Sequence, residues 1–272
     1  MNKKNIIVTG GTDGIGLALV KKLIEKDHKV FIIGKDSSKG NAVLNSIKSI
    51  NLEFFQCDLS EKNEIKKLIK KLIKLPSIDI LINNAGSIFD KRNLTSDGIE
   101  KTFALNHLSY FHLSIGLIEK LEKSKDPRIV NVSSNAHKRY KLNINDLECK
   151  INYNGWKAYC RSKLLNILFT YSFKKKFQTK VNSNCLHPGF VNSNFGNNNN
   201  NFYRTLVNIL KNLLAISSET ASRSPFYLAL SNELENVDSK YFFKLKEIKS
   251  SKESYNKDLA EQVWKKSIEY IS

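Results

Sequence analysis

Two side chains set four residues apart are the first candidates for chemistry. Tyr159 and Lys163 form a Tyr-x-x-x-Lys step within a segment of helical pattern. Residues four apart share one helix face, one turn from each other. An ammonium beside a phenol favours the phenolate, so we expect Lys163 to lower the pKa of Tyr159 towards the range of a proton donor or acceptor. The same spacing also arises by chance, so the other motifs in the chain must decide whether this pair is catalytic.

One companion is a glycine-rich segment that follows the first predicted strand and opens the first predicted helix. Gly10, Gly14 and Gly16 allow a tight turn, a close approach of the backbone to a pyrophosphate, and close packing of helix on strand. The helix N-terminus would then receive the phosphate charge. The alternative is a strand-to-helix turn without a ligand, but the position at the first βα junction favours nucleotide binding.

The elements that must position these residues alternate along most of the chain, as in βαβ units. Strands are predicted at 6–8, 29–33, 52–57, 79–82, 128–133 and 181–186, and helices at 17–26, 41–50, 61–74, 99–123, 158–177 and 257–270. Buried parallel strands linked by helices form an open, doubly wound α/β sheet, which binds its ligand at the carboxyl ends of the strands. We predict one domain over 1–272, with an insertion on the substrate side at about 190–216 and a C-terminal helix within 255–271.

Composition limits the class of protein. A hydrophobic content of 41% with only 4 Pro indicates a folded chain. Four widely spaced cysteines match neither a metal site nor a disulfide framework and favour a reducing, cytoplasmic location. No cluster of His, Cys and carboxylates suggests a metal. No apolar run reaches 18 residues, so we expect a soluble or at most peripherally attached protein.

The net charge of +18 allows two interpretations. One is an anionic partner, such as nucleic acid, an acidic membrane or a phosphorylated cofactor. The other is lysine spread over solvated helix faces. Because the lysines lie in short groups throughout the chain, without interleaved aromatic residues, we favour solvated faces and expect no specific nucleic-acid binding.

Six segments, in chain order, resemble motifs of the short-chain dehydrogenase/reductase family, whose domain has a Rossmann-type fold. They are Thr9–Gly16, Asn83–Gly86, Asn106, Ser134, Tyr159 with Lys163, and Pro188–Gly189. Each would be weak alone, but the six together cover nearly the whole length. The resemblance implies an NAD(P)-dependent oxidoreductase.

The resemblance also implies roles for the candidate catalytic residues. Ser134 would hold a carbonyl oxygen, and its neighbour Ser133 is the other candidate for that role or for a strand-end hydrogen bond. Tyr159 would exchange a proton with that oxygen, while Lys163 would lower the pKa of Tyr159 and bind the nicotinamide ribose. Asn106 would hold a water that links Lys163 to solvent, or would be a buried amide bonded to the backbone.

The end of the second strand indicates the choice of cofactor. A carboxylate there would bind the ribose 2′-hydroxyl of NAD. By resemblance Gly34 occupies that position, and Lys35 follows it, which suits the 2′-phosphate of NADP. Asp36 and Asp13 add negative charge nearby, yet we favour NADP(H) over NAD.

The other cofactor contacts come from the matching motifs. Asp58 and Leu59 resemble the step that contacts adenine, although Asp58 could equally cap a helix. Ser193 takes the place of a common family Thr and keeps its hydroxyl. The full predicted set is Gly10, Thr12, Asp13, Gly14, Ile15, Gly16, Lys35, Asp58, Leu59, Asn83, Ala85, Gly86, Tyr159, Lys163, Pro188, Gly189, Val191 and Ser193.

Within the family, the retinol dehydrogenase-like branch resembles the chain most. The matching stretches are Asn106–Leu108, Arg128–His137, Tyr159–Thr170 and His187–Gly189. The resemblance implies a retinoid, a steroid or a similar lipophilic alcohol or carbonyl as the substrate. The amphipathic segment 202–216 lies where the family has its substrate lid; it could cover an apolar ligand, touch a membrane, or pack on the core, which we favour over membrane contact.

Three functions remain in competition. We favour an NADP-dependent oxidoreductase that interconverts a lipophilic alcohol and its aldehyde or ketone. The first alternative is a regulatory or scaffold protein that binds NADP(H) with little turnover, against which the four intact catalytic positions argue. The second is a nucleic-acid-binding protein, suggested by the charge alone. A homodimer through the long helices is possible by resemblance.

Overall fold

The eight-stranded sheet is the centre of the computed structural model, which describes residues 3–189 and 216–272. Its strand order is β3-β2-β1-β4-β5-β6-β7-β8. All neighbouring pairs are parallel except β7 and β8, which are antiparallel. The strands are β1 Asn5–Thr9, β2 Lys29–Gly34, β3 Leu52–Gln56, β4 Ile80–Asn83, β5 Arg128–Val132, β6 Asn182–Leu186, β7 Tyr241–Phe243 and β8 Lys246–Glu247.

Helices cover both faces of the sheet. They are α1 Gly14–Glu25, α2 Ser37–Ile47, α3 Lys62–Leu72, α4 Lys101–Phe103, α5 Ser109–Gly116, α6 Ile118–Leu121, α7 Gly155–Phe177, α8 Ser218–Leu230 and α9 Lys257–Ile271. The order of strands reverses between β1 and β4, which run on to opposite edges of the sheet. The predicted doubly wound α/β fold is therefore confirmed, with its switch point between β1 and β4.

Alternate residues of the buried strands form two hydrophobic cores. Ile7 of β1 packs with the layer of α3, α5, α7 and α9, a core that contains Phe111, Phe169 and Trp264. Val8 packs on the other face with α1, α2 and α8. Strands buried on both faces show continuous apolar runs, which is why the sequence revealed them.

The helix predicted at 99–123 is not continuous. After α4 the chain makes a π turn at Ala104–Leu108, continues as α5 to Gly116, and breaks at Leu117 before α6. A π turn adds one residue to the helical repeat, a change too local for hydrophobic periodicity to reveal. The prediction of one long helix was wrong here, and Asn106 lies in the π turn.

Two further parts of the fold had no recognisable pattern. Strands β7 and β8 are three and two residues long, too short for alternation to be seen. Helix α8 is rich in small residues and contains Pro225, so its buried face is not strongly apolar. Helix α2 begins at Ser37 rather than 41, because the Asp36 carboxylate accepts a hydrogen bond from the Lys39 amide at 3.0 Å and so caps the helix.

The cysteines and the lengths of the helices complete the description of the fold. All four cysteines are buried and free. In the described part of the chain, no helix combines the length and the apolar character needed to cross a membrane. The insertion predicted at 190–216 falls, up to residue 215, outside the described residues, as do Val191 and Ser193.

Candidate functional site

A cavity of about 660 Å³ runs along the carboxyl ends of the central strands, from the glycine-rich turn to the first turns of α7. Almost every predicted site residue in the described ranges lines it. They are Gly10, Thr12, Asp13, Gly14, Ile15, Gly16, Lys35, Asp58, Leu59, Ala85, Gly86, Ser134, Tyr159, Lys163, Pro188 and Gly189. The structure thus brings together segments more than 150 residues apart in sequence, as the switch point requires.

The glycine-rich turn holds its shape through close backbone contacts. Gly10 and Gly14 have φ of 66° and 53°, in the left-handed region that favours glycine. A Cβ on Gly16 would lie 2.1 Å from the Gly10 carbonyl oxygen. Asn84 fastens the turn to β4, since its Nδ2 donates to the Thr9 carbonyl at 2.9 Å. Asn84 is a site residue that sequence reasoning passed over in favour of Asn83.

Charges at the end of the cavity formed by the glycine-rich turn and α2 are arranged around Asp13. One carboxylate oxygen of Asp13 caps α1 by accepting from the Gly14 amide at 2.7 Å, and the other pairs with Lys39 Nζ at 3.2 Å. Lys35 and Lys39 both line the cavity, although the sequence indicated only Lys35. Lys39 lies within the first turn of α2, so the Asp36 cap was the signal that could have located it.

Gly34 leaves room for Thr12. A Cβ at position 34 would lie 3.1 Å from Thr12 Cγ2 and 3.2 Å from its Oγ1, so any larger residue would press on the glycine-rich turn.

Asp58 does not cap α3, because the residue at the helix N-cap is Glu61, which forms no side-chain cap hydrogen bond. Asp58 Oδ1 accepts hydrogen bonds from the Ser60 amide at 2.9 Å and from the Ser60 hydroxyl at 2.6 Å, just before α3. Asp58 and Leu59 still line the cavity. The hydrogen bonds to Ser60 hold the Asp58–Leu59 step at the cavity wall.

The first turn of α7 packs closely against the Phe89 backbone at the wall of the cavity. Asn154 caps the helix by accepting from the Lys157 amide at 3.0 Å. A Cβ on Gly155 would lie 2.2 Å from the Phe89 carbonyl oxygen, so only glycine permits this approach. The next turns present Tyr159 and Lys163 to the cavity, with Lys163 Nζ 5.5 Å from the centroid of the Tyr159 ring.

The two serines at the end of β5 differ in their partners. The Ser133 hydroxyl donates to the backbone carbonyl of Lys163 at 2.8 Å, so it ties β5 to α7. The Ser134 hydroxyl is hydrogen-bonded to the Tyr159 side chain and accepts from the Ala136 amide at 3.2 Å. The geometry therefore favours Ser134 as the hydroxyl that works with Tyr159.

The protonation of the pair differs from expectation. Burial raises the pKa of Tyr159 to about 12, and the hydrogen bond from Ser134 opposes this only in part. Burial also lowers the pKa of Lys163 to about 7. Lys163 is not among the groups that shift the Tyr159 pKa, so the protein alone does not show the lowering that the sequence predicts.

Asn106 fixes the loop after β4. Its side chain accepts from the Ser87 amide at 2.9 Å and donates to the Ser87 carbonyl at 2.9 Å and to the Ser162 hydroxyl at 3.1 Å. The Asn106 backbone carbonyl accepts from Asn166 Nδ2 at 2.8 Å. This agrees with the alternative of a buried amide bonded to backbone. A Cβ added at Gly86 would lie 3.2 Å from Asn106 Oδ1 and 3.4 Å from Lys163 Nζ.

Asn83 lies apart from the cavity. Its side chain points into the sheet interior, where Nδ2 donates to Ser114 at 3.1 Å and to Asn131 at 2.9 Å. Towards Tyr159 the cavity is also lined by residues that sequence reasoning missed, namely Ser87, Ile88, Phe89, Asp90, Tyr153 and Trp156. They belong to loops and helix starts without a motif.

The residues present fit a dinucleotide. The α1 N-terminus has no acidic residue in its first turn and opens on the cavity, which suits a pyrophosphate. Within the described residues, Lys163 Nζ donates only to the Val132 carbonyl, at 3.0 Å, although an ammonium has three donors. Its remaining capacity suits a ribose hydroxyl in the same cavity.

Known proteins that are similar to this chain in sequence are all dehydrogenases among those named here. The family described as short chain dehydrogenase matches residues 4–204. Human polyprenol dehydrogenase is 36% identical, with coverage of 97% of this chain and 83% of the relative. Human retinol dehydrogenase 13 is 33% identical, with 98% and 84% covered, and mouse retinol dehydrogenase 12 is 32% identical, with 98% and 86% covered.

Solved structures agree at the level of the fold. An uncharacterised protein from Mycobacterium paratuberculosis superposes with a TM-score of 0.80 at 24% identity and covers 98% of this chain and 93% of its own. A short chain dehydrogenase/reductase family protein gives a TM-score of 0.67 at 21% identity, with 88% and 94% covered.

Proposed function

This chain belongs to the short-chain dehydrogenase/reductase family, in its retinol dehydrogenase-like branch, and we propose that it interconverts a lipophilic alcohol and its carbonyl with NADP(H). Membership makes it an NAD(P)-dependent oxidoreductase that acts on CH–OH groups. The cofactor, the class of substrate and the catalytic residues are our proposal. It rests on one observation: a single cavity joins the glycine-rich turn to Tyr159, Ser134 and Lys163.

Tyr159 is the proposed acid and base. With a pKa of about 12 its phenol keeps its proton at neutral pH, so it is ready to donate that proton to a carbonyl oxygen. The Ser134 hydroxyl, which is hydrogen-bonded to the phenol, would also bind the carbonyl oxygen of the substrate. When bound, the cofactor supplies or accepts the hydride. Lys163 would hold the ribose and, once charged, would favour the phenolate that remains after proton transfer.

NADP(H) is proposed because two cations line the adenosine end of the cavity. Lys35 is exposed there, and Lys39 already neutralises Asp13, the acidic residue that would otherwise repel a phosphate. Gly34 offers no carboxylate to a ribose 2′-hydroxyl. Both features suit a 2′-phosphate.

A lipophilic substrate is proposed from the other end of the cavity. Its lining there includes the apolar and aromatic side chains of Ile88, Phe89, Tyr153 and Trp156, with Asp90 beside them. The named relatives are polyprenol and retinol dehydrogenases, which supports a long apolar alcohol or its carbonyl.

The test is NADPH oxidation with a panel of retinal, a steroid ketone, a long-chain isoprenoid aldehyde and a quinone. Wild type should turn over at least one of them, and Tyr159→Phe should lose about 10²- to 10⁴-fold in kcat, because proton transfer is removed. NADPH fluorescence should show that the variant still binds cofactor.

Two results would contradict the proposal. Equal turnover by wild type and Tyr159→Phe would remove Tyr159 from the reaction. Tight NADPH binding without turnover of any carbonyl, or of the matching alcohols with NADP, would instead favour a regulatory protein that binds the cofactor.

A further inference from the structure

Helix α7 carries a buried cation on the face opposite its candidate catalytic pair. Arg161 lies two residues from both Tyr159 and Lys163, about 200° around the helix. Its side chain is 0% exposed and forms an ion pair with Glu100, also 0% exposed, with 2.9 Å between Nη2 and Oε2. A buried charge needs such compensation, and removal of one partner leaves the other uncompensated.

Arg161 also contacts the substrate-side loop. Its Nη1 donates to Cys149 Sγ at 2.6 Å, and the guanidinium carbon lies 5.8 Å from the centroid of the Phe103 ring. Its Nε has no partner among the described residues. The guanidinium therefore joins α7 to the loop before α7 and to the start of α4.

Glu100 extends the connection to the π turn. Its two carboxylate oxygens accept from the backbone amides of Thr102 at 2.7 Å and Phe103 at 2.9 Å, so they cap α4. Helix α4 runs directly into the π turn that carries Asn106. The carboxylate that Arg161 neutralises is thus the one that fixes the beginning of this helix.

Tyr153 completes the cluster at the cavity wall. Its hydroxyl is 3.3 Å from Glu100 Oε1 and donates to the Phe89 carbonyl at 2.9 Å. Tyr153 and Phe89 both line the cavity. A shift of Glu100 would therefore reach the substrate side as well as the π turn.

We infer that Arg161 is a positioning residue for the proposed reaction: through Glu100 it sets Tyr159 relative to the π turn and to the Tyr153 wall of the substrate compartment. The inference rests on the proposed function for its kinetic consequence. The clamp itself, defined as the Arg161–Glu100 pair with Tyr153, is a property of the fold.

A second buried arginine provides the matched control. Arg128 is 3% exposed, pairs with Asp126 at 2.7 Å and donates to the Ser231 carbonyl at 2.8 Å. It lies at the start of β5, at the end of the sheet opposite the cavity. Loss of either arginine should destabilise the protein, but only loss of Arg161 should disturb the site.

The experiment compares Arg161→Met, Arg161→Lys and Arg128→Met with wild type, by hydrogen exchange and by kinetics. In Arg161→Met, peptides over 100–108 and 155–163 should exchange faster by a larger factor than the rest of the chain. Its kcat should fall about 10- to 100-fold with little change in the KM for NADPH, since small misplacements of reacting groups have effects of this size. Arg161→Lys should recover part of both losses.

Two outcomes would overturn the inference. One is that hydrogen exchange in Arg161→Met becomes faster by the same factor along the whole chain, as in Arg128→Met. The other is that the wild-type enzyme is active and Arg161→Met has an unchanged kcat. Exchange is read without substrate, so the clamp can be judged even if the carbonyl panel gives no turnover. In that case the proposed function fails, and the exchange pattern still decides for or against the clamp.

Discussion

Tyr159 and Lys163 both lie in a buried site, and each holds its neutral form more tightly than it would in water. The pKa of Tyr159 is raised to about 12 and that of Lys163 lowered to about 7, in both cases mainly by burial. Near neutral pH the pair is therefore a protonated phenol beside an amine that is only partly charged. A bound group that favours the charged amine would favour the phenolate in turn.

The pKa of Lys163 predicts a dependence of stability on pH. Between about pH 7 and the unfolded value of 10.5, the unfolded chain binds a proton that the folded one does not. The Lys163 contribution to the free energy of unfolding therefore rises with pH in this window. Lys163→Met lacks the titrating amine. The free energy of unfolding of the variant, minus that of wild type, should therefore decrease as the pH rises from 7 to 10.

Urea denaturation of both proteins at several pH values measures this difference, and the other titrating groups cancel. A difference that stays constant from pH 7 to 10 would mean that Lys163 keeps an ordinary pKa in the folded protein.

Lys35 gives a prediction on cofactor choice. Lys35→Glu should weaken NADPH binding about 10-fold or more and leave NADH binding nearly unchanged, because a charge-assisted contact to the 2′-phosphate becomes a repulsion. The measurement is the Kd of each cofactor by fluorescence. Lys26→Glu makes the same change of charge at an exposed position after α1 and is the control. Equal loss for both cofactors would place the 2′-phosphate elsewhere.

At the scale of elements, the glycine-rich turn is held by contacts that leave no space for a side chain. Gly16→Ala places a Cβ 2.1 Å from a backbone oxygen, which cannot move as a flexible side chain could. We expect it to abolish measurable NADPH binding. Gly98→Ala is the control, since that glycine has a positive φ, of 76°, yet has nothing within 4 Å of an added Cβ.

Isothermal titration with NADPH would measure both variants. Gly98→Ala should bind like wild type and lose only about 1 kcal/mol of stability from its backbone conformation. Normal NADPH affinity in Gly16→Ala would show that the turn relaxes and that its close packing is not needed for the cofactor.

The elements also show where sequence patterns reach their limit. Long buried strands and the glycine-rich turn follow from apolar runs and from the chemistry of glycine, so the sheet and most of the cavity lining could be predicted. The π turn at Ala104–Leu108, the short β7 and the Lys39–Asp13 pair could not, because each depends on one inserted residue or one tertiary contact. The same holds for Arg161, whose role is visible only once Glu100 lies beside it.

At the scale of the whole molecule, α9 covers helices that would otherwise be exposed. Trp264 lies 4.9 Å from the Phe111 ring on α5 and 5.9 Å from the Phe169 ring on α7, measured between centroids. Helix α9 therefore covers part of α5 and α7 within one chain and leaves less of these helices for a dimer. We expect a monomer in light scattering after gel filtration, and a stable dimer would require another face.

Trp264→Ala should destabilise the protein by about 3–5 kcal/mol, since it removes a large buried side chain and leaves a cavity among aromatic rings. Chemical denaturation measures the loss. Trp156, which is 44% exposed, is the control, because Trp156→Ala should change stability little. A loss of stability in Trp264→Ala as small as that expected for Trp156→Ala would mean that α9 adds little to the core.

The four buried thiols lie on different parts of this molecule: Cys57 after β3, Cys149 before α7, Cys160 on α7 and Cys185 on β6. Burial raises the pKa of all four and suppresses the reactive thiolate. Cys57 also lines the cavity, whereas a thiol reagent reaches Cys149, Cys160 and Cys185 when the surrounding part opens. The natural sequence thus contains its own set of local opening reporters. Mass spectrometry of modified peptides would give an opening rate for each part, with no label added by mutation.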